Sequence, residues 1–278
     1  MGARDGFALA GAGAQFPGVK LDPIQAASAA QFDRRSHRYG KGHILEQTAD
    51  IEGALRHVEL PAGARALDVA TGGGHTGLLL AVRGYRVTLG DISTNMLTRA
   101  AALAAERGLK VETREFAAEA MPFGEGEFDL VTCRVAPHHF SDARGFVREV
   151  ARVLKRGGSF LLIDGSIEDG KPEAEAWLHN VEKWRDPSHH RLWSQRTWET
   201  WCAESGLAVK SSELQPMLQP DLEWYFETAA TSPENRAKVL EAVRTAPEEA
   251  RALLRISEAA DGKISWWWQR LVLVAQKG

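Results

Sequence analysis

The sequence predicts an α/β fold built on a doubly wound, mostly parallel sheet. Three observations carry that expectation. From Ile51 onward short apolar strands alternate with helical segments of about ten to fifteen residues, the spacing of βαβ units. The first strand runs through the glycine turn Gly72-Gly73-Gly74-His75-Thr76-Gly77 into a helix. The chain has 278 residues, 44% of them hydrophobic, enough to bury the core of one large α/β domain with additions.

Taken in order, residues 1 to 24 are rich in Gly and Ala without periodicity and read as a flexible head. Ala26 to Leu45 is helical in pattern, with Phe32, Tyr39 and Ile44 among Arg34, Arg35, Arg38 and Lys41. The favoured reading is a solvated basic face, over a nucleic-acid patch, with aromatics folded over a cofactor as a third. Strands are expected at Ala64 to Val69, Arg86 to Asp91, Val111 to Phe116, Phe128 to Arg134 and Ser159 to Asp164. Helices are expected at His75 to Arg83, Thr94 to Arg107 (closed by Gly108) and Asp142 to Leu154 (stopped by Gly157-Gly158). All nine tryptophans lie at or beyond Trp177, so the second half is built differently. There, Ser194 caps a helix from Thr197 to Glu204 that ends at Gly206, and Leu207 to Leu214 is a strand. Leu222 to Ala230 and Glu234 to Ala260 read as helical, and Ile264 to Ala275 closes the chain as a long strand.

Bulk properties exclude several classes. A net charge of −3 argues against a nucleic-acid binder held by phosphate contacts. Two cysteines, Cys133 and Cys202, make neither a disulfide framework nor a zinc site, so a reducing cytoplasm is the expected compartment. The small-residue run Ala8 to Ala14 is too short and too weakly apolar for a signal peptide, and no window approaches a membrane span.

Read literally, the turn satisfies the dinucleotide fingerprint G-x-G-x-x-G. Two carboxylates bear on the ligand, and only the first argues against a dinucleotide. Asp68 ends the strand just before the turn, where a buried negative charge is unwelcome to a pyrophosphate and welcome to a cation. Asp91 closes the next strand, placed to bond both hydroxyls of a ribose. Downstream come Ala118-Glu119-Ala120-Met121-Pro122-Phe123, Phe128-Asp129-Leu130-Val131, and Glu149 to Leu154 followed by Lys155-Arg156-Gly157-Gly158.

The ordered set of segments resembles the class I S-adenosylmethionine (SAM)-dependent methyltransferases of the type-11 group, around the ubiquinone/menaquinone C-methyltransferases. The resemblance covers about residues 26 to 278 and implies a Rossmann-like, seven-stranded sheet with the last strand antiparallel, plus a helical insertion. It divides 25–278 into an N-terminal helical lid at 25–50, a SAM-binding core at 51–170, and helical acceptor-side elements at 171–206 and 220–262. Carried over by position, Asp68, Ala70, Thr71, Gly72 and Gly74 would frame the methionine part of SAM, and Asp91 would bind the ribose. Ile92 and Met96 would lie against the adenine, Ala118 and Glu119 at its edge, and Arg134 on the cofactor side. The chain departs from the family's pattern at Ala117, often acidic, and at Thr71, often Cys.

Chemistry is expected at the carboxyl ends of the fourth and fifth strands. Arg134-Val135-Ala136-Pro137-His138-His139-Phe140 follows the fourth, and Asp164 ends the fifth. A carboxylate beside an imidazole sets its tautomer and raises its basicity, so His138 or His139 with Asp164 is a candidate base. The pattern does not rank the two histidines, and capping or core packing is the competing role for each. A second pair lies in Arg185-Asp186-Pro187-Ser188-His189-His190-Arg191, which reads first as a turn and second as an acceptor contact through His189 and Arg191. It lacks the spacing of a metal site. Trp193 and Trp224, with Trp177 and Trp184, are expected as apolar walls of the acceptor pocket, closed by Phe32 and Tyr39. Trp198 and Trp201 are expected in the core.

The expected function is methyl transfer from SAM to an oxygen or carbon of a small, partly apolar acceptor, with no nucleic acid, no membrane span and no metal. An RNA or protein methyltransferase, an NAD-dependent oxidoreductase and a non-catalytic SAM-binding protein are the alternatives. The oligomeric state stays open, a homodimer being one reading.

Overall fold

The computed structural model describes residues 21–40 and 42–278. Eight strands form a sheet in the order β3-β2-β1-β4-β5-β8-β6, with the short β7 paired to β8. These are β1 (Arg65–Val69), β2 (Arg86–Asp91), β3 (Val111–Glu115), β4 (Phe128–Arg134), β5 (Leu154–Ser166), β6 (Leu207–Gln219), β7 (Ser257–Glu258) and β8 (Ile264–Lys277). β1 to β5 pair in parallel, while β8 lies antiparallel between β5 and β6. This is the predicted doubly wound sheet. Its chain order reverses between β1 and β4, the place where open α/β sheets bind ligands at the strands' carboxyl ends.

Ten helices flank the sheet among the described residues: α1 (Pro23–Arg35), α2 (Ala49–Ala54), α3 (His75–Val82), α4 (Thr94–Glu106), α5 (Ala143–Val153), α6 (Pro172–Arg185), α7 (Gln195–Glu204), α8 (Leu222–Ala229), α9 (Pro233–Arg244) and α10 (Glu248–Leu254). Side chains alternate across the strands, so both faces are apolar. Leu67, Val69, Val131, Cys133, Phe160 and Leu162 enter one core beneath α5 and α7. Ala66, Leu130, Leu161 and Ile163 enter the other, beside Leu80 of α3. A third cluster packs α6, α8, α9 and α10 around Trp266, which is fully buried.

Several element boundaries differ from expectation, each for a local reason. Residues 1–20 of the expected head lie outside the described residues, and its last two, Pro23 and Ile24, open α1 instead. Asp22 caps that helix by accepting from the N–H groups of Ile24 and Gln25, Gln25 bonds back to the Asp22 N–H, and Pro23 occupies the first helical position. The helix expected to reach Leu45 stops at Arg35 and gives way to 3-10 turns at Ser36–Arg38 and Ile44–Glu46. Its basic face is not uniformly solvated, because Arg35 is buried in an ion pair with Asp186. The single helix expected to Ala260 is broken by Pro247, which has no N–H to continue the ladder, and residues 257–258 pair with β8. β6 extends beyond Leu214 to Gln219 because the long β8 supplies partners as far as Trp266.

A candidate cofactor and acceptor cleft

One cleft, with about 1360 Å³ of unfilled space including its mouth, opens at the carboxyl ends of β1, β2 and β4. Its floor is the turn after β1. Asp68 is buried and accepts hydrogen bonds from the hydroxyls of Thr71 and Thr132 (2.7 Å for the latter) and from the Gly77 N–H at 3.1 Å. Burial raises its pKa, and those three donors act in the opposite sense. Gly74 takes φ 85° as the N-cap of α3. At Gly73 a Cβ would sit 2.6 Å from the Tyr39 carbonyl oxygen, so only glycine lets the N-terminal segment pack this closely on the turn.

Asp91 ties two strand ends together. One carboxylate oxygen accepts the Gly72 N–H at 2.9 Å and the other accepts the Ser93 N–H at 2.9 Å. Each oxygen keeps a lone pair for one more donor, which suits a vicinal diol. Burial pushes its pKa up to about 6, against the pull of those two N–H groups. Ala70 and Val135, at the ends of β1 and β4, hold φ of 52° and 54° without being glycine. For Val135, β-branched, this is a strained backbone at the cleft's edge.

Aromatic rings from the N-terminal segment roof the cleft. Tyr39 stacks on His43 at 4.4 Å and lies edge-on to Phe32, and Phe32 meets His139 edge-on at 4.9 Å. His75 lies beneath His43 with both ring nitrogens buried and unpartnered, and burial, with His43 next to it, drives its pKa down to about 4.

The far end holds the histidine pair. The 3-10 turn Pro137–His139 sets both rings in the cleft, their centroids 4.1 Å apart. Asp164, buried behind them, grips His138 twice: one oxygen accepts from the backbone N–H at 2.8 Å and the other lies 2.7 Å from ring Nδ1. Burial disfavours the charged ring, but the Asp164 carboxylate outweighs it, and the His138 pKa is raised. His139 has the opposite fate: burial and the neighbouring His138 lower it to about 3.

The structure brings most expected site residues together. Asp68, Ala70, Thr71, Gly72, Asp91, Ile92, Met96, Ala118, Glu119 and Arg134 line the cleft with Phe32, Tyr39, His138 and His139. Gly74 shapes the turn from beneath, and Asp164 reaches the cleft only through His138. Two of these side chains are committed elsewhere. Arg134 spends its guanidinium on Asp50 and on the carbonyls of Leu45 and Gln47, anchoring the N-terminal segment to β4. Glu119 accepts from Ser141 and Asp142 and from the side chain of Gln25 in α1.

Four acceptor-side expectations are corrected. His189, Arg191, Trp193 and Trp224 do not line this cleft. His189 is buried behind His138, its ring driven strongly toward the neutral form by burial and the surrounding histidines. Arg191 lies at the surface paired with Glu175, because its segment turns away once the backbone N–H groups of His190 and Arg191 have bonded the His138 carbonyl. Trp193 packs against Trp201, and Trp224 against the α6–α10 cluster, where their apolar area is better buried than at an open wall. Trp177 and Trp184 likewise line a separate groove beside α9.

Other cleft residues escaped the sequence reading: Arg35, Arg185, Asp186, His43 and His75. Asp186-Pro187-Ser188 signalled only a turn, and nothing local marked Arg35 as the partner of a residue so distant in sequence.

The doubly wound sheet with β8 antiparallel, the glycine turn flanked by Asp68 and the position of Asp91 are those expected of a class I SAM-dependent methyltransferase. Comparison with known proteins agrees. The family model described as a methyltransferase domain (Methyltransf_11) matches residues 67–162. The uncharacterized methyltransferase YcgJ of Bacillus subtilis is 30% identical over 234 residues, 84% of this chain and 91% of that protein. Its crystal structure superposes with a TM-score of 0.75 over 82% of this chain and 97% of that one. An uncharacterized protein of Escherichia coli, YafE, is 39% identical over 120 residues, 43% of this chain and 58% of that protein. Geranyl diphosphate C-methyltransferase from Streptomyces coelicolor shares the fold, with a TM-score of 0.66 at 16% identity over 94% of this chain and 100% of that one. The chain belongs to the type-11 methyltransferase family of the class I SAM-dependent methyltransferases. No helix among the described residues is long and apolar enough to cross a membrane.

Proposed function

We propose that this protein transfers the methyl group of SAM to an oxygen or carbon of a small, partly apolar acceptor, with His138 as the general base. The Asp164–His138 pair carries the reading, because it opens into the same cleft as the glycine turn and Asp91. A carboxylate oxygen accepts, so the 2.7 Å contact makes His138 Nδ1 the donor and leaves the lone pair on Nε2 of a ring that lines the cleft.

The residues present fit SAM. The backbone around Gly72 and Gly73 leaves room for its methionine part, Asp91 has free lone pairs for both ribose hydroxyls, and Ile92, Met96 and Ala118 offer apolar contact to the adenine. When bound, SAM supplies an activated methyl on a sulfonium. The protein's part is alignment and proton removal. The lid at residues 25–50 and the elements at 171–206 and 220–262 exclude water and orient the acceptor, which contributes several kcal/mol. His138 takes the acceptor's proton on Nε2, and Asp164 stabilises the resulting imidazolium. A positioned base contributes about 10²- to 10⁴-fold.

Calorimetry with SAM and S-adenosylhomocysteine tests the cofactor assignment: binding is expected to be saturable in the wild type and lost in Asp91→Ala. Failure of the wild type to bind either compound sinks the reading. Product formation from a panel of phenols and enols, compared between wild type and His138→Gln, tests the base.

A further inference from the structure

We propose that His139 is a specificity-determining residue, a tautomer-locked hydrogen-bond acceptor that selects planar acceptors carrying two adjacent X–H donors, of the ortho-dihydroxy aromatic type. The inference deepens the function proposed above and rests on that reading of the cleft.

The lock is a chain of hydrogen bonds running away from the cleft. His139 Nδ1 lies 3.2 Å from Ser188 Oγ, and Ser188 Oγ donates to Asp186 Oδ1 at 2.6 Å. Asp186 is held ionised by Arg35 of α1, whose guanidinium bonds its other oxygen at 3.1 Å, and it also accepts from the Gln31 amide and the Ser188 N–H. A serine hydroxyl has one proton. Since that proton goes to Asp186, the Ser188 oxygen must accept from His139, and Nδ1 must be the protonated nitrogen. Nε2 then carries a lone pair and has no partner among the described residues. It is not among the buried unpartnered atoms, and its ring lines the cleft.

His138 arrives at the same state by a different route, with Nδ1–H spent on Asp164 and Nε2 bare. With His138 in its unprotonated form, the working state of a base, both imidazoles lining the cleft carry a free Nε2 lone pair, and their ring centroids lie 4.1 Å apart at 45°. Two hydroxyls on adjacent carbons of one planar ring can each donate to one of two neighbouring imidazoles. A molecule with a single hydroxyl satisfies one nitrogen and leaves the other desolvated and unpaired, which is the basis of strong discrimination in buried sites. Phe32, edge-on to His139, and Phe140 beside it supply apolar walls for a flat ring. The charged groups at this end are mutually paired, Arg35 with Asp186 and Arg185 with Glu182. Selection therefore falls to the two imidazoles. Their roles differ: His138, backed by a carboxylate, takes the proton of the reacting hydroxyl, whereas His139 resists protonation and reads the hydroxyl beside it.

Two measurements on the full chain saturated with S-adenosylhomocysteine test this. Catechol and phenol are titrated by calorimetry, without turnover. Catechol is expected to bind at least about tenfold tighter than phenol, and the ratio to collapse toward one in His139→Phe. Equal affinities in the wild type, a ratio that survives in the variant, or no catechol binding at all overturns the proposal. Nitrogen-15 spectra of the histidines form the second test and do not depend on that variant folding. His139 is expected to remain neutral and Nδ1-protonated from about pH 8 to about pH 5, and to lose the fixed tautomer in Ser188→Ala. An Nε2-protonated or readily titrating His139 overturns it. Because binding needs no base, a failed base assignment shows only in the turnover of His138→Gln and stays distinguishable.

Discussion

Replacing Asp164 with Asn isolates the electrostatic support of His138. The two oxygens of this one buried carboxylate take the His138 backbone N–H at 2.8 Å and the ring Nδ1–H at 2.7 Å. Asparagine keeps the volume but turns one of those acceptors into an amide N–H facing a donor. Unit charges about 4 Å apart attract by about 4 kcal/mol at an effective dielectric of about 20. The desolvation that opposes the charged ring offsets part of this. A hydrogen bond to a charged group contributes about 1.5–3 kcal/mol net. The imidazolium should lose that amount, so the His138 titration moves to lower pH and base-dependent turnover falls about 10- to 150-fold at about 1.4 kcal/mol per decade. Affinity for S-adenosylhomocysteine should hold within about twofold, because Asp164 reaches the cleft only through His138. Histidine NMR titration and calorimetry on the same preparation measure both. Stability should follow the sign of linkage. A His whose folded pKa is raised contributes stability fully present below its unfolded value of about 6.5 and lost as pH rises through the folded value. The difference between wild type and Asp164→Asn should therefore be largest in mild acid and shrink at alkaline pH. An unmoved His138 titration, or a collapse of cofactor affinity, would refute the reasoning.

Three further outcomes follow from the geometry. Gly73→Ala places a Cβ 2.6 Å from the Tyr39 carbonyl oxygen, a backbone atom, so the roof must lift; calorimetry should show cofactor affinity down by about tenfold or more. Arg35→Met strands Asp186 in a buried position and should cost about 3 kcal/mol, the low end for breaking a buried pair because Ser188 and Gln31 still donate. Urea denaturation checks this, and a loss below about 1 kcal/mol would mean that the pair barely offsets its desolvation. Asp91 has its pKa raised to about 6, and its carboxylate is the acceptor a ribose needs, so cofactor affinity should fall as pH drops through about 6. A flat pH profile in that range would remove Asp91 from the ribose assignment.

The glycine-turn side of the cleft was legible because it is local. Asp68, the glycine turn and Asp91 lie at strand ends whose hydrophobic periodicity marks them, and the fold carries strand ends to the switch point. Glu119 and Arg134 line the cleft, yet their hydrogen bonds go to Gln25, Ser141, Asp50 and the 45–47 backbone, partners that sequence spacing does not reveal. The acceptor side was read less well. Tryptophan suggested an apolar wall by its chemistry, but an indole's large area is best buried in close packing, and Trp193 and Trp224 went there.

The sequence by itself determined the doubly wound sheet, its binding edge and the carboxylates that flank the glycine turn, since all follow from residue periodicity and from turns a few residues long. Only the tertiary structure ranked the histidines. It put Asp164 on His138, whose basicity the carboxylate raises, and buried His139 beside His138, which lowers its own, with Ser188 on its Nδ1. It also brought Arg35 of α1 to Asp186 beyond α6. Those pairings depend on which segments pack together, and a side chain's proton affinity is set by neighbours in space rather than along the chain.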